Sequence, residues 1–225
     1  MESKLTATMQ RVLFSLVVSL VTAATLLGAP KPLTEAAVRA ALTPLDKIDI
    51  AKIKAMGPEV LPHLARIYTN TPDEQARATY AWVFYELGLE SPEGRAALLK
   101  DLGTQNQTLR LQVQWALGRV SDDTQVVDLL ASIMRNDGNP VFRDKAACAL
   151  AYDQIHLTEK QKVHLFRRLI EGLKDPKPQV RAISIQALAI HTGQRKGFSP
   201  DAPQEKRNEA IATWMRWLNE YEQNL

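Results

Sequence analysis

Apolar residues recur at helical spacing along most of the chain, in segments separated by short polar turns. Side chains three and four residues apart lie on one face of a helix, so each segment predicts a helix with one apolar face. The segment 59–68 is an example, with Val60, Leu64 and Ile67 on the same face. Because no segment alternates convincingly with a period of two, we expect no β-sheet.

Start and stop signals give the approximate ends of these helices. Thr34 and Ser91 are typical helix starts, because an N-cap hydroxyl accepts a backbone N–H group. Gly88 follows the segment 74–87 and is a typical helix end. The predicted helices are 35–42, 46–56, 59–68, 74–87, 92–102, 108–120, 122–135, 142–154, 158–173 and 179–191. Short loops join most of them in pairs, which predicts a series of helical hairpins.

Four arginines mark a repeat in the second helix of each pair. They are Arg77, Arg110, Arg143 and Arg181, at spacings of 33, 33 and 38 residues. A fixed period in this range predicts hairpins that stack into a solenoid. We expect these arginines to hold turns together instead of binding an anionic ligand. In the last two repeats an aspartate, Asp137 or Asp175, lies six positions earlier, where it could bond the arginine or the next repeat's backbone N–H groups.

The second helices share one predicted core face and one candidate binding face. Counted from the repeat arginine, positions −1, +3, +6 and +7 lie on one side of the helix and are mostly apolar or small. Position +5 lies outside that face and is Trp82 or Trp115 in the first two repeats. With Tyr85 and Leu111 these tryptophans form a candidate groove, since exposed aromatic side chains are typical interface anchors. The alternative is that both tryptophans pack between hairpins, and nearly complete burial would exclude the groove.

The pattern resembles a known repeat family. The run DPKPQVRAISIQAL from Asp175 to Leu188 resembles the HEAT-repeat signature. The 33-residue spacing, with WVF at Trp82 and WALG at Trp115, is similar to the short HEAT-like repeats of the phycobilin-lyase type. The resemblance covers about 57–193 and implies an all-α superhelix, a HEAT-like solenoid, whose second helices line the concave side. Such repeats serve mainly as scaffolds.

The C-terminal tail is predicted to cap this stack. It resembles the ending of a group of bacterial exported HEAT-repeat proteins. A solenoid end exposes an apolar face and needs a cover that is polar outside, and Ile211, Trp214, Leu218 and Tyr221 recur at helical spacing in the tail. We assign a capping role to Phe198, Trp214, Trp217 and Tyr221. The alternative is that Trp214 and Trp217 form an aromatic pair facing a ligand.

The N-terminus is predicted to be separate from the repeats. Residues 12–29 contain no charge and follow Lys4 and Arg11, which fits a cleaved secretory signal or an uncleaved membrane anchor. Either alternative places the rest of the chain outside the cytoplasm. The predicted organisation is a signal or anchor (1–29), a linker with N-terminal helices (30–56), the repeats (57–194) and a loop with a capping helix (195–225).

Composition and charge narrow the range of possible functions. The 28 basic and 25 acidic residues are interspersed, with a net charge of +3, which argues against a nucleic-acid partner. A single cysteine, Cys148, excludes an internal disulfide and is expected to be a small buried residue. We find no histidine cluster with metal-ligand spacing and no nucleophile or phosphate-loop motif.

We therefore expect a monomeric, non-enzymatic scaffold that binds a protein or peptide on its concave face, with no catalytic residue, metal or cofactor. Two alternatives stay open. One is a lyase-like or cofactor-binding enzyme on the same scaffold, which an acidic residue with a strongly shifted pKa in a deep pocket would favour. The other is a purely structural spacer.

Overall fold

The computed structural model describes residues 32–225, and among these residues all regular structure is helical. Residues 34–225 form one compact unit. A short 3-10 helix covers Leu45–Lys47. The α-helices are α1 (Glu35–Ala41), α2 (Ile50–Lys54), α3 (Val60–Thr69), α4 (Glu74–Leu87), α5 (Pro92–Leu99), α6 (Gln107–Val120), α7 (Thr124–Asn136), α8 (Pro140–Tyr152), α9 (Glu159–Gly172), α10 (Pro178–Thr192) and α11 (Gln204–Gln223).

Side-chain caps fix most of the helix starts. The Asp73 carboxylate accepts from the backbone N–H of Ala76 at 2.8 Å and begins α4. The Ser91 hydroxyl accepts from the backbone N–H of Gly94 and begins α5. Thr158 begins α9 with a capping box that includes Gln161. At the other end of α4, Gly88 adopts φ +61°, a left-handed conformation that glycine reaches without a Cβ penalty.

Two predicted helices are shorter than expected. The segment 46–56 is divided into the 3-10 helix and α2, because the Asp49 carboxylate accepts from the Lys52 N–H at 3.2 Å and starts a new helix. The segment predicted to run to residue 102 ends as an α-helix at Leu99. The chain then continues through 3-10-type hydrogen bonds between residues three apart, such as Asp101 N–H to the Leu98 carbonyl. These bonds tighten the last turn.

The helices stack as hairpins in two layers. The second helices α4, α6, α8 and α10 pack on one another in chain order, while α3 packs on α5 and α7 on α9. The predicted core face is confirmed at positions +6 and +7, where all eight side chains are buried: Val83, Phe84, Ala116, Leu117, Ala149, Leu150, Ala187 and Leu188. Small residues at position +6 allow neighbouring helices to approach closely.

Three of the repeat arginines close their own turns. In each, the Nη1 group donates to the backbone carbonyls six and five residues earlier. Arg77 binds Thr71 and Pro72 at 2.9 and 3.1 Å, Arg143 binds Asp137 and Gly138 at 2.8 and 3.3 Å, and Arg181 binds Asp175 and Pro176 at 2.9 and 2.8 Å. Arg110 differs, because its Nε donates to the Leu102 carbonyl at 3.1 Å.

The turn aspartates connect one repeat to the next. Arg77 Nε donates to Asp101 in the following hairpin at 2.9 Å, and Arg110 forms an ion pair with Asp137. Asp175 pairs with Arg135 of the preceding hairpin at 3.4 Å. Each turn aspartate thus bonds the arginine of its own repeat through its backbone carbonyl, whereas both carboxylates receive an arginine from the previous repeat. Both also accept N–H groups within their own turn, from Asn139 and Lys177.

The capping helix α11 packs on α9. Trp214 is 0% exposed and Phe198 is buried, whereas Trp217 and Tyr221 are half-buried. Phe166 of α9 lies 5.4 Å from the Trp217 ring and 5.6 Å from the Tyr221 ring. Since Trp214 is completely buried, the two tail tryptophans do not form an open pair that faces a ligand.

Replacing Arg181 with methionine is expected to lower the free energy of unfolding by about 2–3 kcal/mol. Its guanidinium is buried with three carbonyl acceptors, since Arg181 also donates to Pro200 at 2.8 Å, and loss of a charged donor leaves these carbonyls unsatisfied. Urea unfolding followed by circular dichroism measures the change. Arg216, which is exposed on α11, provides the matched Arg→Met control, and an equal effect of both variants would contradict this role.

Candidate functional site

The partly exposed side chains of α4, α6, α8 and α10 form a surface that we call the second-helix face. All four residues predicted for the groove lie on it and are half-buried: Trp82, Tyr85, Leu111 and Trp115. The tryptophans are thus accessible from solvent, which is the condition that a role as partner anchors requires.

A shallow groove lies between α4 and α6. Trp82 and Gln112 line it together with smaller side chains of both helices, and its volume is about 170 Å³. The other lining residues are Gln75, Ala78, Thr79 and Thr108. Among the described residues, the Gln112 side-chain oxygen finds no hydrogen-bond partner. That oxygen is buried, so a ligand in this groove would mainly meet the Trp82 side chain and the small side chains around it.

A cluster of aromatic and cationic side chains continues the face towards α8. The rings of Tyr85 and Trp115 lie 6.2 Å apart. The Arg119 guanidinium lies 4.2 Å above the Tyr85 ring, and the Lys145 ammonium lies 5.3 Å from the Trp115 ring. Cation–π contacts of this kind are attractive, so a cation of α6 and a cation of α8 each stabilise one of the two rings.

A second groove lies between α8 and α10. Cys148 lies in it, half-buried instead of buried as predicted, and burial raises the pKa of its thiol. The groove is small, about 50 Å³, and is bordered by Tyr152 and Ile190. These two side chains are 57% and 38% exposed. The repeat pattern did not single them out, although both occupy position +9, one helical turn beyond the tryptophan column.

Large exposed apolar residues concentrate where the second helices end. Tyr152 and Ile190 are joined there by Leu89, just after α4, and Ile155, just after α8. Ile155 lies beside Gly88, within van der Waals distance of the position that a Cβ would occupy. Single exposed apolar residues are common on soluble proteins, and the described chain has four others, at Leu45, Leu129, Val141 and Leu225.

The described part of the chain has no arrangement typical of a metal centre. Between residues 32 and 225, no group of three or more His, Cys, Asp or Glu side chains could hold a metal ion. The four histidines lie apart and contact other groups: His63 contacts Arg66, His164 contacts Asp128, and His156 and His191 contact backbone carbonyls.

The predicted membrane-associated segment falls outside the described residues. No helix found from residue 32 onwards is both long and apolar enough to cross a bilayer. The apolar run 12–29 lies before this range, so its role as a signal or an anchor stays a prediction.

Comparison with known proteins supports the repeat assignment. The family described as HEAT repeats matches residues 61–151, which correspond to the hairpins from α3 to α8. No curated protein matches the chain. The repeat match and the stacked helical pairs together identify the fold as an all-α, HEAT-like solenoid.

Proposed function

We propose that this protein is a non-enzymatic scaffold that binds a protein or peptide partner on its second-helix face. The observation that carries the proposal is the row of accessible aromatic side chains on α4, α6 and α8: Trp82, Tyr85, Trp115 and Tyr152. Tryptophan and tyrosine supply much of the binding energy at protein interfaces. HEAT-like scaffolds commonly serve protein interaction, which agrees with this use.

The electrostatics of the face favour a polypeptide over a nucleic acid. Its two cations that contact aromatic rings are both paired with carboxylates, Arg119 with Asp153 at 3.1 Å and Lys145 with Asp144 at 3.3 Å. A nucleic-acid site needs cations that are available to phosphates. Paired cations beside aromatic rings and amide side chains are instead typical of a protein interface.

The sizes of the two grooves favour an elongated partner. Volumes of about 170 and 50 Å³ are below the roughly 300–1,000 Å³ of small-molecule sites, but each accommodates part of a side chain. The grooves are two helix spacings apart, or about 20 Å. An extended peptide spans this distance in about six residues, and a helix does so in about 13.

Site-specific photocrosslinking tests the proposal. Full-length protein carrying p-benzoylphenylalanine in place of Tyr152 should crosslink to a polypeptide in cells. The same group in place of Leu129, which is 41% exposed on α7, should not crosslink, because α7 belongs to the other layer. Equal crosslinking at both positions, or none at Tyr152, would argue against a partner on the second-helix face.

We also propose that the protein acts outside the cytoplasm, on the basis of the apolar run 12–29 behind a basic N-terminal flank. A reporter that is active only after export, fused after Ala29, should be active. Loss of its activity on replacing Leu16 and Leu20 with arginine would link export to this run. An inactive reporter, with the fusion protein retained in the cytoplasm, would contradict the proposal.

A further inference from the structure

The loop that follows α8 reaches beyond its neighbouring repeat. In a stack of repeats, each unit normally contacts only the next one. Here His156 Nε2 lies 3.1 Å from the Gly88 carbonyl at the end of α4, although a complete hairpin, α5 and α6, separates the two along the stack. Ile155 packs beside Gly88 as well. The loop therefore connects the first and third hairpins directly.

Asp153, in the same loop, adds a second connection through α6. Its carboxylate accepts from Arg119 Nε at 3.1 Å. Arg119 in turn covers the Tyr85 ring and donates to the Tyr85 carbonyl at 3.5 Å. The contact needs Gly118, because a Cβ at that position would lie 2.8 Å from the Asp153 Cβ. The ends of α4, α6 and α8 thus meet around one ion pair.

The Asp153 carboxylate occupies an unfavourable place for a charge. The residue is 3% exposed, and it follows the last turn of α8, where the helix dipole disfavours an anion. These features make the proton-bound form of Asp153 easier to bury than the ionised form.

We propose that residues 153–156 form a strap that clamps the C-terminal ends of α4, α6 and α8, and that mild acid tightens this strap by protonating Asp153. The strap does not depend on the identity of a binding partner. It would nevertheless act on the second-helix face, because Arg119 holds the Tyr85 ring.

The pKa of Asp153 supports the direction of the effect. Burial raises this pKa to about 6, against the opposing effect of Arg119, whereas a solvent-exposed aspartate titrates near 3.9. A closed strap therefore binds the proton more tightly than an open one. The stability that proton binding adds to the closed strap is fully present below about pH 4 and is lost as the pH rises through about 6. Between pH 7 and pH 5 the closed-to-open ratio should rise about tenfold.

The titratable groups packed around the strap allow this assignment to be tested. Arg119 of α6 acts directly on the Asp153 carboxyl. From α10, His191 contacts the Leu150 carbonyl at 2.8 Å, and burial lowers its pKa. Cys148 lies on α8 itself, and Tyr85 of α4 faces Asp153 across Arg119. His156 belongs to the strap, so a His156→Gln variant separates its contribution from that of Asp153.

Hydrogen exchange of the full-length protein at about pH 5 and about pH 7, corrected for intrinsic rates, tests the strap. Peptides covering 85–91 and 152–158 should be about tenfold better protected at the lower pH. Asp153→Asn, which imitates the protonated side chain, should remain protected at both pH values. His156→Gln should reduce protection of 85–91 and keep the pH dependence. Asp122→Asn, at an exposed carboxylate on the neighbouring loop, should behave like the wild type.

Opposite behaviour would overturn the proposal. An ordinary stabilising ion pair predicts that acid loosens the loop and that Asp153→Asn loosens it at neutral pH. If Asp153→Asn does not fold, the carboxyl carbon of Asp153 can be titrated in the wild type by nuclear magnetic resonance. A midpoint near 6 supports the strap, and a midpoint near the ordinary aspartate value of about 3.9 refutes it.

Discussion

Replacing Trp214 with alanine is expected to lower the free energy of unfolding by about 3–5 kcal/mol. The indole is completely buried, forms an edge-to-face contact with Trp217 at 5.3 Å and has the Lys196 ammonium 5.1 Å from its centroid. Truncation removes these contacts and leaves a cavity between α11 and the last hairpin. Urea unfolding of the variant and of the wild type gives the difference.

Two controls show whether this effect belongs to the cap. Arg216→Ala, at an exposed position of the same helix, should change stability by less than about 0.5 kcal/mol. Deletion of 203–225 should uncover the apolar side of α9, where Phe166 lies against Trp217 and Tyr221, and should cause aggregation. A soluble deletion variant with an unchanged unfolding transition would show that the tail does not protect the stack.

Replacing Trp82 or Trp115 with alanine is expected to weaken partner binding by about 2 kcal/mol or more, roughly 30-fold in Kd. Both indoles are half-buried on the second-helix face, so a partner would cover their remaining surface. Trp115 should have the larger effect, because its loss also releases Tyr85 and Lys145. Isothermal titration with the crosslinked partner measures the change.

The stability of the same variants distinguishes an anchor from a core residue. We expect Trp82→Ala and Trp115→Ala to destabilise the fold less than Trp214→Ala does, since part of each indole already contacts water. Leu129→Ala, on the opposite layer, should leave binding unchanged. If both tryptophan variants lose as much stability as Trp214→Ala, then packing is their main role, and the binding loss follows from unfolding.

Local signals predicted the helices best where both ends carry a cap. Helix α4 has the predicted bounds, because its end at Gly88 is readable from the sequence and its cap, Asp73, acts within the first turn. The prediction failed after Leu99, where Asp101 accepts hydrogen bonds from Tyr68 and Arg77. Those partners lie 33 and 24 residues away, so the helix end there depends on stacking that local sequence does not encode.

In the candidate site, too, the sequence predicted the features within a repeat but not the contacts between repeats. The repeat period placed Trp82 and Trp115 in one column, and the structure leaves both accessible. The period did not reveal that Arg119 meets Asp153, because these residues occupy different positions in their repeats and meet through a loop. Nor did it reveal that the Asp137 carboxylate pairs with Arg110 of the previous repeat, because residue spacing does not show how far stacked turns are offset from each other.

The placement of the cap determines how this stack could be lengthened. Helix α9 carries the cap contacts through Phe166, and the segment 153–156 binds the first three hairpins together. An additional hairpin would therefore have to be inserted between residue 156 and α9, where both features stay intact. Contacts between α7 and α9, such as Asp128 with Arg168 at 2.6 Å, would then have to be rebuilt on both faces of the inserted unit.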